Sequence, residues 1–179
     1  MSCNLSLGYG LPCKNEVGGF RAIYLANYNN YGFTLNSTNT GHNLSSVGTL
    51  AEVYKYDLKN SGNSYVETIN SNRDGGTTSY TQVMTAVVTG LNEDLDFQLK
   101  MMAFGRPIVF VETNGGKVFA VGVTLGAELS GTNKNIEGAL EGAVNASLVL
   151  TATEPDPSYL LTAGAVTALK ALVAANIPV

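Results

Sequence analysis

The sequence predicts a mainly β protein of the α+β class, an antiparallel β-sandwich or barrel with an extended hairpin and one or two helices. Thr77 to Thr89 alternates largely apolar with largely hydroxyl side chains, which is the period of a strand. Asn114-Gly115-Gly116 separates two apolar runs, a strong hairpin signal. Helical spacing of apolar residues is confined to the segment after Asn92 and to the C-terminal region. With 179 residues, the chain is expected to form a single domain, 1–179.

The beginning of the chain predicts few regular elements. Residues 1–19 are Gly-rich and are expected to be an irregular N-terminal segment, followed by a strand at 20–28. The segment 29–46 is dense in Asn, Thr, Ser and Gly, and it is predicted to be a long loop with one short strand at 32–35.

The hairpin from Tyr65 to Thr89 is the most unusual predicted element. A strand at 52–58 is expected to turn into its first arm, and Arg73-Asp74-Gly75-Gly76 turns into its second arm, Thr77 to Thr89. The second arm would span about 40 Å at about 3.3 Å per residue, whereas ordinary strands have about five or six residues. Because a free edge of that length would aggregate, the arm is expected to outgrow its own subunit and to pair with copies of itself.

One helix is predicted between the strands. It begins after Asn92, a suitable N-cap, with Glu93 and Asp94 at the positive end of its dipole, and it ends at Gly105. The side that faces the core is apolar at helical spacing and consists of Leu95, Leu99 and Met102.

A central hairpin and a C-terminal helix complete the prediction. The hairpin runs from Pro107 to Val121 with a type I′ turn, and its arms are apolar throughout, so it is expected in the middle of the fold. The segment 156–179 is predicted to be a C-terminal helical extension, capped by Asp156, with a helix over 160–175 that docks on its own subunit or on a neighbour.

Composition excludes several classes of function. The net charge is −4 and only 13% of residues are charged, with the basic ones scattered singly, so no patch for gripping nucleic acid is predicted. No apolar run approaches the roughly 20 residues of a membrane span, and no membrane partner is expected. The low charge fits either an ordinary β-rich protein or a surface hidden in subunit contacts. Cys3 and Cys13 leave open a disulfide or two thiols, and the lack of a signal peptide favours thiols reduced in a cytoplasm.

No catalytic, metal or cofactor site is predicted, and the chain is not expected to be an enzyme. His42 is the single histidine and is interpreted as a solvated loop residue. Glu93, Asp94 and Asp96 are explained by the helix dipole rather than by acid–base chemistry. The basic residues are scattered singly and form no patch among the tyrosines, so the tyrosines are interpreted as cross-strand pairs and interface anchors rather than as a base-stacking platform.

Two segments resemble virion structural proteins of tailed phages. The first is Val17-Gly18-Gly19-Phe20 with Ile23-Tyr24-Leu25-Ala26-Asn27, and the second is Leu148-Val149-Leu150-Thr151-Ala152-Thr153-Glu154-Pro155. The predicted order of elements is similar to the tail tube fold, a β-sandwich with an extended hairpin and a flanking helix. The resemblance implies a protein of the virion tail, assembled in the host cytoplasm, that forms hexameric rings stacked into a conduit for the genome.

The resemblance implies roles for surfaces rather than for catalytic residues. The long hairpin would build or line the tube wall, while the segment 29–46 and the N-terminal segment would reach adjacent rings. The partners would be copies of the chain and other phage tail proteins, with DNA as non-specific passing cargo. The predicted interface or lumen residues are Tyr65, Glu67, Ile69, Arg73, Tyr80, Gln82, Met84 and Val88.

Two alternatives remain open at the level of sequence. Another virion component, such as a head–tail connector, a tail terminator or a capsid decoration protein, would differ in ring symmetry and in its position in the particle. A ligand-binding β-sandwich, such as a carbohydrate module that uses the tyrosines, would be a stable monomer with measurable affinity for glycans.

Overall fold

The computed structural model describes residues 8–10, 14, 17–38, 41–59 and 61–173, and it has the predicted α+β, mainly β fold class. Within these residues the strands are β1 Phe20–Ala26, β2 Thr34–Thr38, β3 Gly41–Ser46, β4 Tyr54–Asp57, β5 Ser64–Asn72, β6 Thr77–Thr89, β7 Ile108–Thr113, β8 Val118–Val121, β9 Glu128–Ile136, β10 Val144–Glu154 and β11 Tyr159–Leu161. The helices are α1 Glu93–Phe104 and α2 Ala163–Ala171.

The strands form two sheets stacked in layers. A seven-stranded sheet has the order β2-β3-β11-β8-β7-β1-β4, and a four-stranded sheet has the order β5-β6-β10-β9. One apolar core, which includes Ile23, Met84 and Leu148, lies between the two sheets and under α1. A second core, which includes Phe110 and Leu169, covers the other face of the seven-stranded sheet under α2. The middle strands of the seven-stranded sheet, β1, β7 and β8, are therefore covered on both faces.

The central hairpin lies where its composition predicts. β7 and β8 are neighbours in the middle of the seven-stranded sheet, and the first five residues of β7 are buried. The predicted type I′ turn is wrong, because neither Asn114 nor Gly115 has a positive φ. Instead the amide of Gly116 donates to the carbonyl of Thr113 at 2.9 Å and Gly116 itself has φ +82°, the geometry of a three-residue loop with a left-handed glycine.

The helix α1 matches its prediction closely. The side-chain oxygen of Asn92 accepts a hydrogen bond from the amide of Leu95 at 2.7 Å, which satisfies one of the free donors of the first turn. The amide of Gly105 closes the other end on the carbonyl of Met101 at 3.0 Å. The buried residues are Leu95, Leu99 and Met102, as their spacing predicts.

The predicted long loop at 29–46 is wrong in its second half, where β2 and β3 form an antiparallel hairpin. β3 is held in the sheet by β11, which pairs with it in parallel and sets Leu44 beside Leu161. Leu44 is fully buried and anchors a strand that is otherwise polar. Because β11 lies more than a hundred residues away, the local composition could not indicate this partner. Similarly, β4 pairs with β1 rather than returning along β5.

The C-terminal region differs from the predicted extension. Tyr159–Leu161 is a strand between β3 and β8, and α2 begins only at Ala163 with Thr162 as its N-cap. Asp156 does not cap the helix, because its carboxylate accepts from the hydroxyl of Tyr159 at 3.2 Å. The helix α2 docks on its own chain. Residues 174–179, like Cys3 and Cys13, lie outside the described residues.

The length of β6 is predicted correctly, but its expected partners are wrong. β6 has 13 residues, Thr77–Thr89. β10 of the same chain pairs with Tyr80–Thr89 on one side, and β5 pairs with Thr77–Thr85 on the other. The strand therefore does not need copies of itself to complete its backbone hydrogen bonds. Any pairing between copies through this sheet has to use its outer strands, β5 and β9.

Candidate assembly interface

The four-stranded sheet has two free edges of equal length. Within the described residues, β5 pairs only with β6 and β9 pairs only with β10. Each edge strand has nine residues. Unpaired backbone donors and acceptors along such an edge are a template for another strand. These two edges are the clearest places on the chain for a second chain to add to the fold.

The face of this sheet that points away from the core carries almost no charge. β6 contains no charged residue, and the one charged residue of β10, Glu154, is buried on the inner side. The outward side chains of the two central strands are mostly hydroxyl and β-branched: Ser79, Thr81, Val83, Thr85, Val87 and Thr89 of β6, and Asn145, Ser147, Val149, Thr151 and Thr153 of β10. A broad, half-exposed and neutral sheet face results.

Three of the predicted interface residues lie inside the chain. Met84 is fully buried and Val88 is 9% exposed, and both belong to the core between the sheets. Gln82 is also buried, and its Oε1 accepts from the amide of Gly122 at 3.2 Å, which ties β6 to the end of β8. The inner face of β6 is completed by the chain itself, so the prediction that this face meets other copies is corrected for these residues.

Two further predicted residues are half-buried and make internal contacts. The hydroxyl of Tyr65 donates to Glu67 Oε2 at 2.9 Å, and the same oxygen accepts from the amide of Ser158 at 2.8 Å. Burial is the main cause that raises the pKa of Tyr65, and the neighbouring charge of Glu67 adds to it. Tyr65 and Glu67 therefore fix β5 against the loop before β11 rather than offering free side chains.

The remaining predicted residues lie at the far end of the β5–β6 hairpin, beyond the core. Ile69 pairs with Tyr80 across the two strands, and the turn that contains Arg73 follows. Ile69 is 63% exposed, Arg73 is exposed and Tyr80 is partly exposed. Of the predicted set, these three are the residues that another molecule can reach.

A buried carboxylate, which the sequence reasoning missed, forms the main charged cluster of the described residues. Glu112 of β7 is 2% exposed. Its Oε1 accepts from Lys170 of α2 at 2.7 Å and from Arg21 of β1, and its Oε2 accepts from the hydroxyl of Tyr24 at 2.6 Å. A cleft of about 560 Å³ opens beside this cluster, with Lys55 paired to Asp57 at 2.7 Å on its wall.

The hydrogen bonds determine the charge state of this cluster. Burial would raise the pKa of Glu112, but the hydrogen bonds from Lys170, Tyr24 and Arg21 outweigh it and lower the pKa to about 2. Burial and the bond to Glu112 raise the pKa of Tyr24, and the bond to Glu112 raises that of Arg21. Glu112 is therefore an anion at neutral pH that joins β1, β7 and α2, a role in holding the layers together.

The residues considered for chemistry have structural environments. His42 lies in β3 rather than in a loop, stacked on Tyr159 at 4.0 Å between ring centroids, with Nε2 2.9 Å from the carbonyl oxygen of Pro157. Glu93, Asp94 and Asp96 lie in the first turn of α1, and Asp96 also pairs with Lys134 of β9. The described part of the chain contains no group of three or more His, Cys, Asp or Glu side chains that could hold a metal ion. It also contains no helix long and apolar enough to cross a membrane.

Comparison of the chain with protein-family models, with curated proteins and with solved structures finds no significant match.

Proposed function

We propose that this protein is a structural subunit that forms closed rings by strand pairing, and that the rings stack into a phage tail tube. One observation supports the proposal above all. The four-stranded sheet has a neutral outer face and two free nine-residue edges, β5 and β9. Such a sheet suits a segment of a barrel wall, because joining the edges of successive copies removes both free edges of this sheet.

The strand directions favour this joining. All three neighbouring pairs in the sheet are antiparallel, so β5 and β9 run in opposite directions. When copies are related by rotation about the ring axis, β5 of one copy would meet β9 of the next as another antiparallel pair. The contact is heterologous, since it joins two different edges, and such contacts generate rings when the rotation closes.

The stagger between the two edges also suits a closed barrel. Thr68, the middle residue of β5, pairs with Thr81 of β6, which in turn pairs with position 153 of β10. Thr132, the middle residue of β9, pairs with position 148 of β10. This offset of five residues along β10 is about 17 Å at about 3.3 Å per residue, while four strands span about 19 Å across. Paired residues must point to the same face, whereas Thr68 lies on the outer face and Thr132 on the core face, so the nearest possible registers have offsets of four or six residues. These registers would tilt the strands by about 35° or about 46°, close to the roughly 35–45° found in closed barrels.

The size and lining of such a barrel suit a conduit. Six copies, the number that the resemblance to tail tube proteins implies, would give roughly 24 strands, more than the roughly 16–18 strands of porins that enclose a water-filled channel. The core and the second sheet occupy the inner face of the four-stranded sheet, so the neutral face would line the channel. Hydroxyl and β-branched side chains carry no positive charge that could bind phosphate, which favours passage of DNA without binding.

Electron microscopy of the purified protein tests the proposal. Rings or tubes are the expected result in negative stain at high protein concentration, and particles of single-chain size alone would overturn it. Proline at Thr68 and, separately, at Ile69 provides the test of mechanism. Amides of consecutive strand residues point to opposite edges, so one of the two variants loses only its outward donor. That variant is expected to remain folded and to lose ring formation.

A tail terminator or head–tail connector would use the same strand pairing. Labelling of the protein in the virion distinguishes these roles, since a tail tube subunit is expected along the whole tail and a terminator or connector at one end only.

A further inference from the structure

The helix α1 has an apolar stripe on the side that faces solvent. Phe97 is 59% exposed, Met101 is 51% exposed and Phe104 is 80% exposed, at the spacing that places all three on one face of a helix. We call these three residues the α1 stripe. The opposite face of α1 fills the core, so the helix is apolar on two sides. A helix of this kind is typical of a position between two packed surfaces.

The exposed apolar area of the α1 stripe is that of a typical interaction patch. Since an aromatic side chain presents about 150–250 Å², the α1 stripe exposes on the order of 400 Å² of apolar surface. A groove of about 430 Å³ next to it adds the rings of Tyr28 and Tyr54, which are 41% and 40% exposed. The largest apolar patch on a monomer is typically about 300–600 Å² and is often a site of interaction.

The helix α1 lies beside one of the two free sheet edges, that of β9. Lys134 of β9 is opposite the buried Ala146 of β10, so its side chain projects on the core side of the sheet. There it pairs with Asp96 of α1 at 2.5 Å. A strand added to β9 would therefore have its core-side residues on the same side of the sheet as α1.

We propose that the next copy in the ring covers the α1 stripe with the core-side residues of its β5–β6 hairpin, chiefly Ile69 and Tyr80. This inference rests on the proposed function. When β5 of that copy joins β9, strand alternation places its Tyr65, Glu67 and Ile69 on the side where α1 lies. Ile69 is 63% exposed because it extends beyond its own core, and its pair Tyr80 lies two residues from the buried Gln82 on the same face.

The area that a stable contact needs supports this occupant. Specific interfaces bury about 800 Å² on each partner, more than a nine-residue strand edge with few exposed apolar side chains supplies. The α1 stripe provides about half of that area. It also supplies the apolar centre that specific interfaces have and that a polar strand edge alone does not provide.

Substitution of the stripe tests the inference against a matched control. The double variant Phe97→Ser with Phe104→Ser removes exposed apolar surface only, so the monomer is expected to melt within a few degrees of the wild type. Ring formation, followed by analytical ultracentrifugation over a concentration series, is expected to require at least tenfold more protein. Lys100→Ser, which also changes an exposed residue of this helix, is expected to assemble like the wild type.

The outcomes separate this inference from the proposed function. If the wild type forms rings and an edge-blocking proline variant does not, while the double variant assembles as the wild type does, the inference is overturned and the proposed function stands. If the wild type forms no rings, both are overturned. Photo-crosslinking from p-benzoylphenylalanine at position 104 identifies the occupant. A crosslink to residues 64–80 of another copy supports the inference, and a crosslink elsewhere, or none within assembled rings, overturns it.

Discussion

Lys170 of α2 donates a hydrogen bond to Glu112 of β7 at 2.7 Å, and this bond joins two elements that are 58 residues apart in the chain. Arg21 and Tyr24 of β1 bind the same carboxylate, so one side chain holds two adjacent strands and the helix that covers them. Removing one partner of a buried charge pair lowers stability by more than the pair itself contributes, because the remaining charge is left buried without a counter-charge.

Replacement of this carboxylate by an amide is expected to destabilise the fold. Glu112→Gln keeps the shape of the side chain but removes the charge that Lys170 and Arg21 bind. We expect the free energy of unfolding at pH 7 to fall by on the order of 2 kcal/mol, measured by urea denaturation. Asp57→Asn is the control, because it removes the exposed pair with Lys55 in the same cleft and is expected to cost no more than about 0.5 kcal/mol.

The ionisation of Glu112 makes the stability of the fold depend on pH. The pKa of Glu112 is about 2 in the folded protein, below its ordinary value of 4.5. Its contribution to stability is therefore complete above about pH 4.5 and is lost as the pH falls towards 2. The difference in unfolding free energy between the wild type and Glu112→Gln should shrink at pH 3 to less than about half its value at pH 7. An unchanged difference would contradict the assigned ionisation.

Local sequence signals predicted the elements that depend on local interactions. The caps of α1, the period of β6 and the apolar arms of β7 and β8 each lie within a few residues, and the structure has them where expected. Pairings between distant segments were missed. β6 pairs with β10, which lies more than fifty residues later, and β3 pairs with β11, which lies more than a hundred residues later.

The cluster around Glu112 could likewise be predicted only in part, because its members are distant in the chain. Glu112 follows directly on four apolar residues of a central strand, and that position was the available signal of a buried charge. Its partners Arg21 and Lys170 are 91 and 58 residues away, so only the folded chain brings them together. The long hairpin was correctly identified as unusual, but the free edge lies on β5 rather than on β6.

Charges on the two faces of β6 are expected to have different effects. Met84 is fully buried between the sheets, so Met84→Lys should cost more than about 4 kcal/mol and unfold the chain. Thr85 is the next residue and points to the outer face, where a lysine reaches solvent, so Thr85→Lys is expected to cost about 1 kcal/mol or less. Circular dichroism with urea titration measures both. A folded Met84→Lys variant would contradict the placement of this face in the core.

Alanine substitutions at two glycines with similar φ angles distinguish the cost of steric overlap from the cost of backbone strain. Gly48 has φ +58° and Gly76 has φ +62°, a region that L residues adopt at a cost of about 1–2 kcal/mol. A Cβ on Gly76 would meet nothing within 4 Å, so Gly76→Ala is expected to cost only that strain.

A Cβ on Gly48 would overlap the carbonyl oxygen of Tyr31, which accepts hydrogen bonds from the amide of Thr49 at 2.8 Å and from its hydroxyl at 3.1 Å. Gly48→Ala should therefore force the backbone apart and cost more than about 3 kcal/mol, since it adds a lost hydrogen bond and a steric overlap to the same strain. Urea denaturation of the two alanine variants in parallel measures the difference. Equal destabilisation would mean that the segment 47–50 does not pack against Tyr31 as the structure has it.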